Sequence, residues 1–422
     1  MARITIHSEG TLGDHFPFLA LGEALVGRGH TVRYAAPAYL RDEVEEGEMQ
    51  WFPCRPDLDP TRVLASPEAF DHWSAERGGP DRSQGPKLRD YFEEYGLSQK
   101  LSDLTDATKE VDLLISSKFS MTAGLVSELL NVPCVRVALM PWFDPSPGTP
   151  AAQGMELRDQ LLQSDPSMQL LVQKMNAVRV RCRLQRLRGP LDVFDASRLL
   201  LATSPLFGKP EKKVGCELVQ TGFWLHVPRR WRAAGLSTDT KAWLTRQKRP
   251  PLVLSFSSQP VPRSDQVLDC HLQAAERLGR GLVVQGGWSD WNSRAFESAC
   301  QNGKGLRLSA GPQEELFQRA GAVIHHGGIG TTVRALSAET PQLVEPWGND
   351  QFYNARQVIA LGIGAAINPH KLNVAGLERV LLNSVLTREV AQTTKRRARQ
   401  MAKDRGIPTA VDTIESWLQT PC

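Results

Sequence analysis

Residues 323–336, Val-Ile-His-His-Gly-Gly-Ile-Gly-Thr-Thr-Val-Arg-Ala-Leu, combine a short apolar run, a glycine-rich turn and the start of a helix. An apolar run of this length is typical of a strand buried on both faces. Glycines let the backbone approach a ligand closely, and the free N–H groups and dipole at a helix start favour an anion. The pattern is neither a Walker loop nor GxGxxG. Two interpretations remain open, a phosphate or diphosphate site and a plain strand-to-helix turn with threonine caps.

Strand-like and helix-like patterns alternate on both sides of this stretch. Residues 3–7 form a β-rich run, a glycine loop follows at 10–15, a helical pattern begins near Pro17, and residues 31–36 form a second apolar run. This strand–loop–helix–strand order is typical of a parallel sheet. Further apolar runs predict strands at 111–116, 132–139, 198–203, 252–256, 282–285, 323–326 and 342–345, and residues 411–418 predict a final helix.

Because each of two such series starts with its own strand and glycine loop, we predict an α/β protein with two doubly wound Rossmann-like domains facing a cleft. The expected N-terminal domain covers residues 1–224 and the C-terminal domain residues 225–404. Residues 405–422 are expected to form a helix that packs back on the N-terminal domain. A linker is expected at 228–235, where the strand signal is weak.

Composition narrows the class of protein. The chain has 422 residues, of which 41% are hydrophobic and 23% charged, and its net charge is +4. These values are typical of a soluble globular protein and indicate no nucleic-acid partner. The start of the chain turns polar within a few residues and is not typical of a signal peptide, so we expect a cytoplasmic location. The seven cysteines are scattered and predict neither a disulfide framework nor a cysteine zinc site.

Two further stretches carry weaker signals. Asp57-Leu58-Asp59 matches a metal-binding DxD pattern, but prolines flank it and no strand leads into it, so we expect no metal requirement. Residues 179–188 alternate basic and apolar side chains. A solvated helix face is favoured there over an anionic membrane or nucleic acid, and any membrane contact is expected to be peripheral.

A polar pair follows the strand predicted at 342–345. Asp350 can accept hydrogen bonds, and Gln351 can both donate and accept, which suits the vicinal hydroxyls of a sugar. Ligands of open α/β sheets bind outside the carboxyl ends of the strands. The alternative is that Asp350 only caps the next helix.

The motif 326–332, followed by Pro341-Gln342 and by residues 350–355, resembles the donor-binding signature of nucleotide-sugar-dependent family 1 glycosyltransferases of the GT-B fold. The interval from His326 to Asp350 is the one that the plant counterpart of this signature uses. Residues that resemble the same family, most closely its sterol, glycopeptide and macrolide branch, also occur at 13–22, 28–32, 221–224 and 286–288. Residues 55–110 and 145–195 show little resemblance.

The resemblance implies a role for each matched donor residue. His326 donates to the diphosphate, and the rest of the anion site comprises Gly327, Gly328, Gly330, Thr331 and Thr332. Asp350 and Gln351 hold sugar hydroxyls. Ser258 touches the phosphates, although Ser257 replaces the family's glycine, and Gln313 lies in the nucleobase loop. Arg334 stands in place of the plant ribose-binding Glu, which leaves UDP-sugar and TDP-sugar donors both open.

The resemblance also implies a base in the loop that contains Thr11 and Gly13. Asp14 aligns with the family's base, and the adjacent His15 is its rival. Transfer by a single attack opposite the leaving nucleotide implies inversion. The proposed acceptor is a hydroxyl, or alternatively a nitrogen, of a hydrophobic small molecule such as a natural-product aglycone or a sterol. Aromatic side chains that suit its pocket are Trp51, Trp73, Trp142 and Phe143. A nucleotide-sugar epimerase and a non-catalytic helper of another transferase are the alternatives, and the oligomeric state stays open.

Overall fold

The computed structural model describes residues 1–10, 12–55, 97–141, 166–209, 216–287, 289–348 and 350–420. These residues divide into two compact units. The first unit takes the described residues up to His226 and those from Asp404 onward, and the second unit is Val227–Lys403. Both units are α/β, and each contains one parallel sheet.

The first sheet has the strand order β3-β2-β1-β4-β5-β6-β7, and all its neighbours pair in parallel. The strand order therefore reverses between β1 and β4, which is the switch point of a doubly wound sheet. The strands are β1 (Arg3–His7), β2 (Thr31–Ala36), β3 (Gln50–Pro53), β4 (Leu113–Ser117), β5 (Cys134–Ala138), β6 (Arg198–Leu201) and β7 (Glu217–Gln220).

The second sheet has the order β10-β9-β8-β11-β12-β13, again with parallel neighbours and a switch point between β8 and β11. Its middle strands are fully buried, as their uninterrupted apolar runs predict. The strands are β8 (Leu252–Ser255), β9 (Leu282–Gln285), β10 (Gly305–Leu308), β11 (Ala322–His325), β12 (Gln342–Val344) and β13 (Gly364–Ala366).

Helices connect the strands of both sheets. They are α1 (Leu12–Gly27), α2 (Arg41–Glu46), α3 (Leu97–Thr108), α4 (Ala123–Leu130), α5 (Pro166–Arg181), α6 (Arg229–Ala234), α7 (Thr238–Arg246), α8 (Ser264–Arg277), α9 (Arg294–Gln301), α10 (Gln313–Phe317), α11 (Ile329–Ser337), α12 (Gln351–Ala360), α13 (Val374–Val380), α14 (Arg388–Met401) and α15 (Ile407–Gln419). Short helical turns occur at Ala38–Leu40, Pro190–Phe194, Pro205–Phe207, Pro369–Lys371 and Leu381–Val385. No helix of the described ranges is both long and apolar enough to cross a membrane.

The last helix, α15, completes the core of the first unit. Ile414 and Trp417 are buried in the same cluster as Ile6 of β1 and Phe18 of α1. Outside the core, the Arg28 guanidinium at the end of α1 pairs with carboxylates of α15. Burial of this apolar surface favours the packed arrangement of the two helices.

Two predictions of local structure, for the start of α1 and for the basic stretch, are wrong. Helix α1 begins at Leu12 rather than near Pro17, and Pro17 lies inside it as the sixth residue, where it leaves one intrahelical hydrogen bond unmade. The expected linker at 228–235 lies next to the boundary between the units, at His226 and Val227, and contains α6. The basic stretch 179–188 is not one helix face, because α5 ends at Arg181.

Candidate functional site

The glycine turn after β11 is closely packed. Gly327 has a φ of +96°, and a Cβ there would lie 2.7 Å from Cγ1 of Val344 and 3.1 Å from the carbonyl oxygen of Gln351. Its N–H donates to Nδ1 of His325 over 3.1 Å, and its carbonyl accepts from Nδ2 of Asn354 over 2.8 Å. Only glycine fits this position, and the turn is held at both the N–H and the carbonyl of Gly327.

Helix α11 starts directly after this turn and has no side-chain cap at Gly328. Its first N–H groups therefore lack intrahelical partners, as at any helix start. Oγ1 of Thr332 donates back to the Gly328 carbonyl over 3.0 Å, whereas the Thr331 hydroxyl has no hydrogen bond to a described residue. The two threonines thus differ, since Thr332 stabilises the turn and Thr331 has a hydroxyl left for a ligand.

The two histidines of the turn are buried and neutral. Nε2 of His325 donates to Oε1 of Gln342 over 2.9 Å, since its Nδ1 already accepts from Gly327. Burial lowers the pKa of His325 to about 4 and that of His326 to about 3. The His326 ring lies over Gly328, where an added Cβ would be 2.4 Å from its Nε2. His326 can therefore serve as a neutral hydrogen-bond donor beside the helix start.

The turn after β8 forms a second side of the candidate site. Ser257 has a φ of +45°, and a Cβ on Gly287 would lie 2.1 Å from the Ser257 carbonyl oxygen, so the loops after β8 and β9 touch here. Ser258 is half-buried in this turn, and Gln259 closes it by donating from its N–H to the Phe256 carbonyl over 2.8 Å. The positive φ that a glycine would adopt freely is thus adopted by serine.

Asp350 and Gln351 form a polar pair at the start of α12. Gln351 makes hydrogen bonds to the loop 347–348 and to the turn after β8. Oε1 of Gln351 accepts from the N–H groups of Trp347 and Gly348 over 2.7 and 3.1 Å. Its Nε2 donates to Oε1 of Gln259 over 2.8 Å, so one amide hydrogen remains for a ligand. Asp350 is the N-terminal flanking residue of α12, and its Oδ2 accepts from Nδ2 of Asn354 over 3.2 Å.

The expected nucleobase loop leads into α10. Nε2 of Gln313 donates to Oγ of Ser255 over 3.2 Å. Arg334 is buried on α11 and donates to Oε1 of Glu314 over 2.8 Å. Desolvation lowers the pKa of Arg334, and Glu314 opposes this effect. Arg334 is therefore held by an ion pair to Glu314 of α10.

In the first unit, the two candidate bases have different surroundings. Asp14 is half-buried in the first turn of α1, where its carboxylate lies over Gly10, because a Cβ there would be 2.3 Å from Oδ2. His15 is fully buried and its Nδ1 lies 3.2 Å from the Tyr34 hydroxyl. Burial lowers the pKa of His15 to about 3. Gly13 is exposed beside them.

A buried charge cluster next to this loop was not predicted. His7 at the end of β1 lies 3.2 Å from Glu9, and the Glu9 carboxylate accepts from Nζ of Lys100 over 2.9 Å. Burial acts to raise the pKa of Glu9, but Lys100 and His7 lower it below its usual range. No local pattern could have revealed this cluster, because Lys100 comes from α3.

Most of the remaining predicted site residues lie outside the part of the chain that the structure describes. Thr11, Trp73, Trp142 and Phe143 lie outside the described residues, as does the Asp57–Asp59 pattern. The Trp51 indole donates to the Ala36 carbonyl over 3.1 Å, and the Arg41 guanidinium lies over its ring. Among the described residues, no group of three His, Cys, Asp or Glu side chains could hold a metal ion.

Comparisons with known proteins agree with this arrangement. Residues 294–414 match the family model of the erythromycin biosynthesis protein CIII-like C-terminal domain. The chain is 27% identical to O-mycaminosyltylonolide 6-deoxyallosyltransferase of Streptomyces fradiae, with 99% of this chain and 98% of that protein aligned. It is 24% identical to sterol 3-beta-glucosyltransferase of Candida albicans over 99% of its own length, which is 28% of that protein.

A solved structure shares the architecture. The glycotransferase of kitacinnamycin superposes with a TM-score of 0.77 at 19% identity, and the alignment covers 99% of both chains. The two switch-point sheets, the glycine turn with its uncapped helix and the full-length alignment with the Streptomyces enzyme agree with one another. The architecture is that of the GT-B fold, and the comparisons support a glycosyltransferase similar to the family 1 enzymes that act on natural products.

Proposed function

We propose that the protein transfers a hexose from a UDP- or TDP-sugar to a hydroxyl of a hydrophobic small molecule, with inversion at the anomeric carbon. The observation that carries this proposal is the uncapped start of α11, which lies against the Asp350 end of α12 through Gly327. The helix start suits a diphosphate, and the nearby Asp350 carboxylate suits sugar hydroxyls. Because the two lie close together, they can bind the two parts of one donor molecule.

The diphosphate binds at the start of α11 in this proposal. The amide groups after Gly328, the Thr331 hydroxyl and the neutral His326 donate to its oxygens. These donors are fixed before the reaction, because the turn is held by His325 and Asn354. They stabilise the negative charge that develops as the bond between sugar and diphosphate breaks.

The hexose lies toward α12. The Asp350 carboxylate accepts from sugar hydroxyls, and Gln351 contributes the one amide hydrogen that Gln259 leaves unused. Because the Gln351 oxygen already accepts two backbone N–H groups, the main contribution of Gln351 is to shape the loop 347–348.

Asp14 acts as the base on the acceptor. The acceptor oxygen forms its bond to the anomeric carbon, the proton of the hydroxyl passes to the Asp14 carboxylate, and the nucleoside diphosphate leaves with the electron pair of the broken bond. A base in this position contributes about 10²–10⁴-fold to the rate. The full burial of His15 and the half-buried position of Asp14 at the loop support Asp14 in this role.

The acceptor class follows from the relatives. One acts by its name on a mycaminosyltylonolide and the other on a sterol, which supports a large apolar acceptor for this chain. An apolar acceptor offers mostly surface for hydrophobic contact and few polar groups for recognition.

The test combines purified protein with UDP- and TDP-hexoses and a panel of sterols and macrolide aglycones. Mass spectrometry detects the glycoside, and the proton coupling at the anomeric carbon shows whether the α-linked donor gave a β-linked product. Incubation with donor alone separates the alternatives, because an epimerase would convert the sugar without acceptor. Saturable nucleotide binding without any glycoside across the panel would favour the helper alternative.

A further inference from the structure

We infer that Asn354 is a positioning residue that holds the diphosphate turn and the sugar-binding carboxylate in one arrangement. This inference rests on the proposed function, since it concerns the same donor site. It makes hexose recognition and stabilisation of the leaving diphosphate depend on a single side-chain amide.

The geometry of the amide is the first argument. Asn354 lies in the first turn of α12 and is fully buried. Its Nδ2 donates to the Gly327 carbonyl over 2.8 Å and to Oδ2 of Asp350 over 3.2 Å. A carboxamide nitrogen carries two hydrogens, so both are used in joining the two parts of the site.

The other end of the same amide gives the second argument. Oδ1 of Asn354 is buried without a hydrogen-bond partner among the described residues. A buried acceptor without a donor destabilises a fold, and an apolar side chain of similar size would avoid that penalty. The cost of this unpaired oxygen is therefore offset by the two bonds of the nitrogen, which an apolar side chain could not make.

The two parts of the site depend on Asn354 to different degrees. The Gly327 peptide keeps its bond to His325 when Asn354 is replaced, so the turn retains one of its two holds. The Asp350 carboxylate loses an N–H donor that fixes its orientation. We therefore expect a larger effect on the sugar nucleotide than on the nucleotide alone.

The experiment compares Asn354→Leu, Asn354→Ser and Asn354→Asp with the wild type in the full chain. The control is Gln357→Ala on the same helix, because the Gln357 side chain has no hydrogen bond to a described residue. The measurements are Tm, the Kd of UDP and of TDP, and kcat and KM for transfer from the sugar nucleotide that the wild type uses.

For Asn354→Leu we expect a lower Tm, because the buried Gly327 carbonyl loses its donor, together with a nucleoside diphosphate Kd within about 3-fold of the wild type and a fall in kcat/KM of about 10-fold or more. Asn354→Ser keeps a single hydrogen-bond donor, so its kcat/KM should lie between those of Asn354→Leu and the wild type. Asn354→Asp places a second carboxylate against Asp350 and should be the least active variant. Gln357→Ala should match the wild type.

Wild-type turnover by Asn354→Leu, or by Asn354→Ser if the Leu variant does not fold, would overturn the inference. So would equal losses in nucleoside diphosphate affinity and kcat/KM, because they would indicate a general structural effect. These outcomes differ from failure of the proposed function, in which the wild type itself gives no glycoside and the inference falls with it.

Discussion

Nε2 of Gln351 donates a hydrogen bond to Oε1 of Gln259 over 2.8 Å, and both side chains are buried. The two residues follow β12 and β8, which are separated in the sheet by β11. The bond therefore joins the loops on either side of the glycine turn, and it fixes the width of the space above the start of α11.

Replacing Gln259 by Met should widen this space. The variant keeps the size of the side chain but leaves the Gln351 amide without its acceptor, which should lower the free energy of unfolding by about 1–3 kcal/mol. We also expect a rise of about 10-fold in the KM of the sugar nucleotide. Urea unfolding and steady-state kinetics check both values. An unchanged KM in the folded variant would show that the bond does not shape the donor site.

Gly327→Ala and Gly330→Ala form a matched pair. A Cβ at Gly327 would meet Val344 at 2.7 Å at a φ of +96°, whereas a Cβ at Gly330 would meet nothing within 4 Å. Gly327→Ala should cost about 1–3 kcal/mol of stability and weaken UDP or TDP binding by about 10-fold or more. Gly330→Ala lies in a helix and should leave the free energy of unfolding unchanged or slightly higher. Calorimetric titration and thermal unfolding distinguish the two. Equal losses of stability in both variants would contradict the close packing of the Gly327 turn.

Asp14→Asn and His15→Gln should separate the two candidate bases. The Asn variant keeps the shape of the side chain but cannot take a proton, so kcat should fall by about 10²–10⁴-fold while donor affinity stays unchanged. His15→Gln should lower Tm, because His15 is buried against Tyr34, and should leave most of kcat in the folded protein. Rapid-quench or steady-state assays measure kcat for the two variants. A folded His15→Gln enzyme as inactive as Asp14→Asn would contradict the assignment.

The stability of the second unit should fall in mild acid. Burial lowers the pKa of His325 from an ordinary 6.5 to about 4, so the unfolded chain binds the extra proton first as the pH falls. Stability is complete above pH 6.5 and is lost progressively toward pH 4, by on the order of 3 kcal/mol from this residue. Urea unfolding at a series of pH values checks the slope. His325→Gln should show a shallower slope, and an identical slope in both proteins would show that His325 does not contribute.

The sequence predicts much of this fold because its central strands are apolar runs. Residues 3–7 and 31–36 are strands with the predicted bounds. Strand β13, Gly-Ala-Ala, has no such signal, and its position depends on contact with β12, where a Cβ on Gly364 would lie 1.9 Å from the Gln342 carbonyl oxygen. Tertiary contacts override weak local preference at such edges.

The candidate site shows a similar division. His326 and Asp350 were predicted as donor contacts because they stand in a recognisable motif, and their roles stay predictions. Gln259 and Asn354 were not assigned a function. Gln259 meets Gln351 across 92 positions of the chain, and no local pattern encodes such a contact. The role of Asn354 appears only once the Gly327 carbonyl is placed beside it.

Helix α15 has a consequence for the order in which the protein forms. It fills the core of the first unit with Ile414 and Trp417, yet the ribosome makes it after every residue of the second unit. The apolar surface of β1 and α1 that α15 covers therefore stays exposed while the second unit is synthesised. A nascent chain halted before Ile407 should bind chaperones through that surface, whereas release of the last helix should end the association.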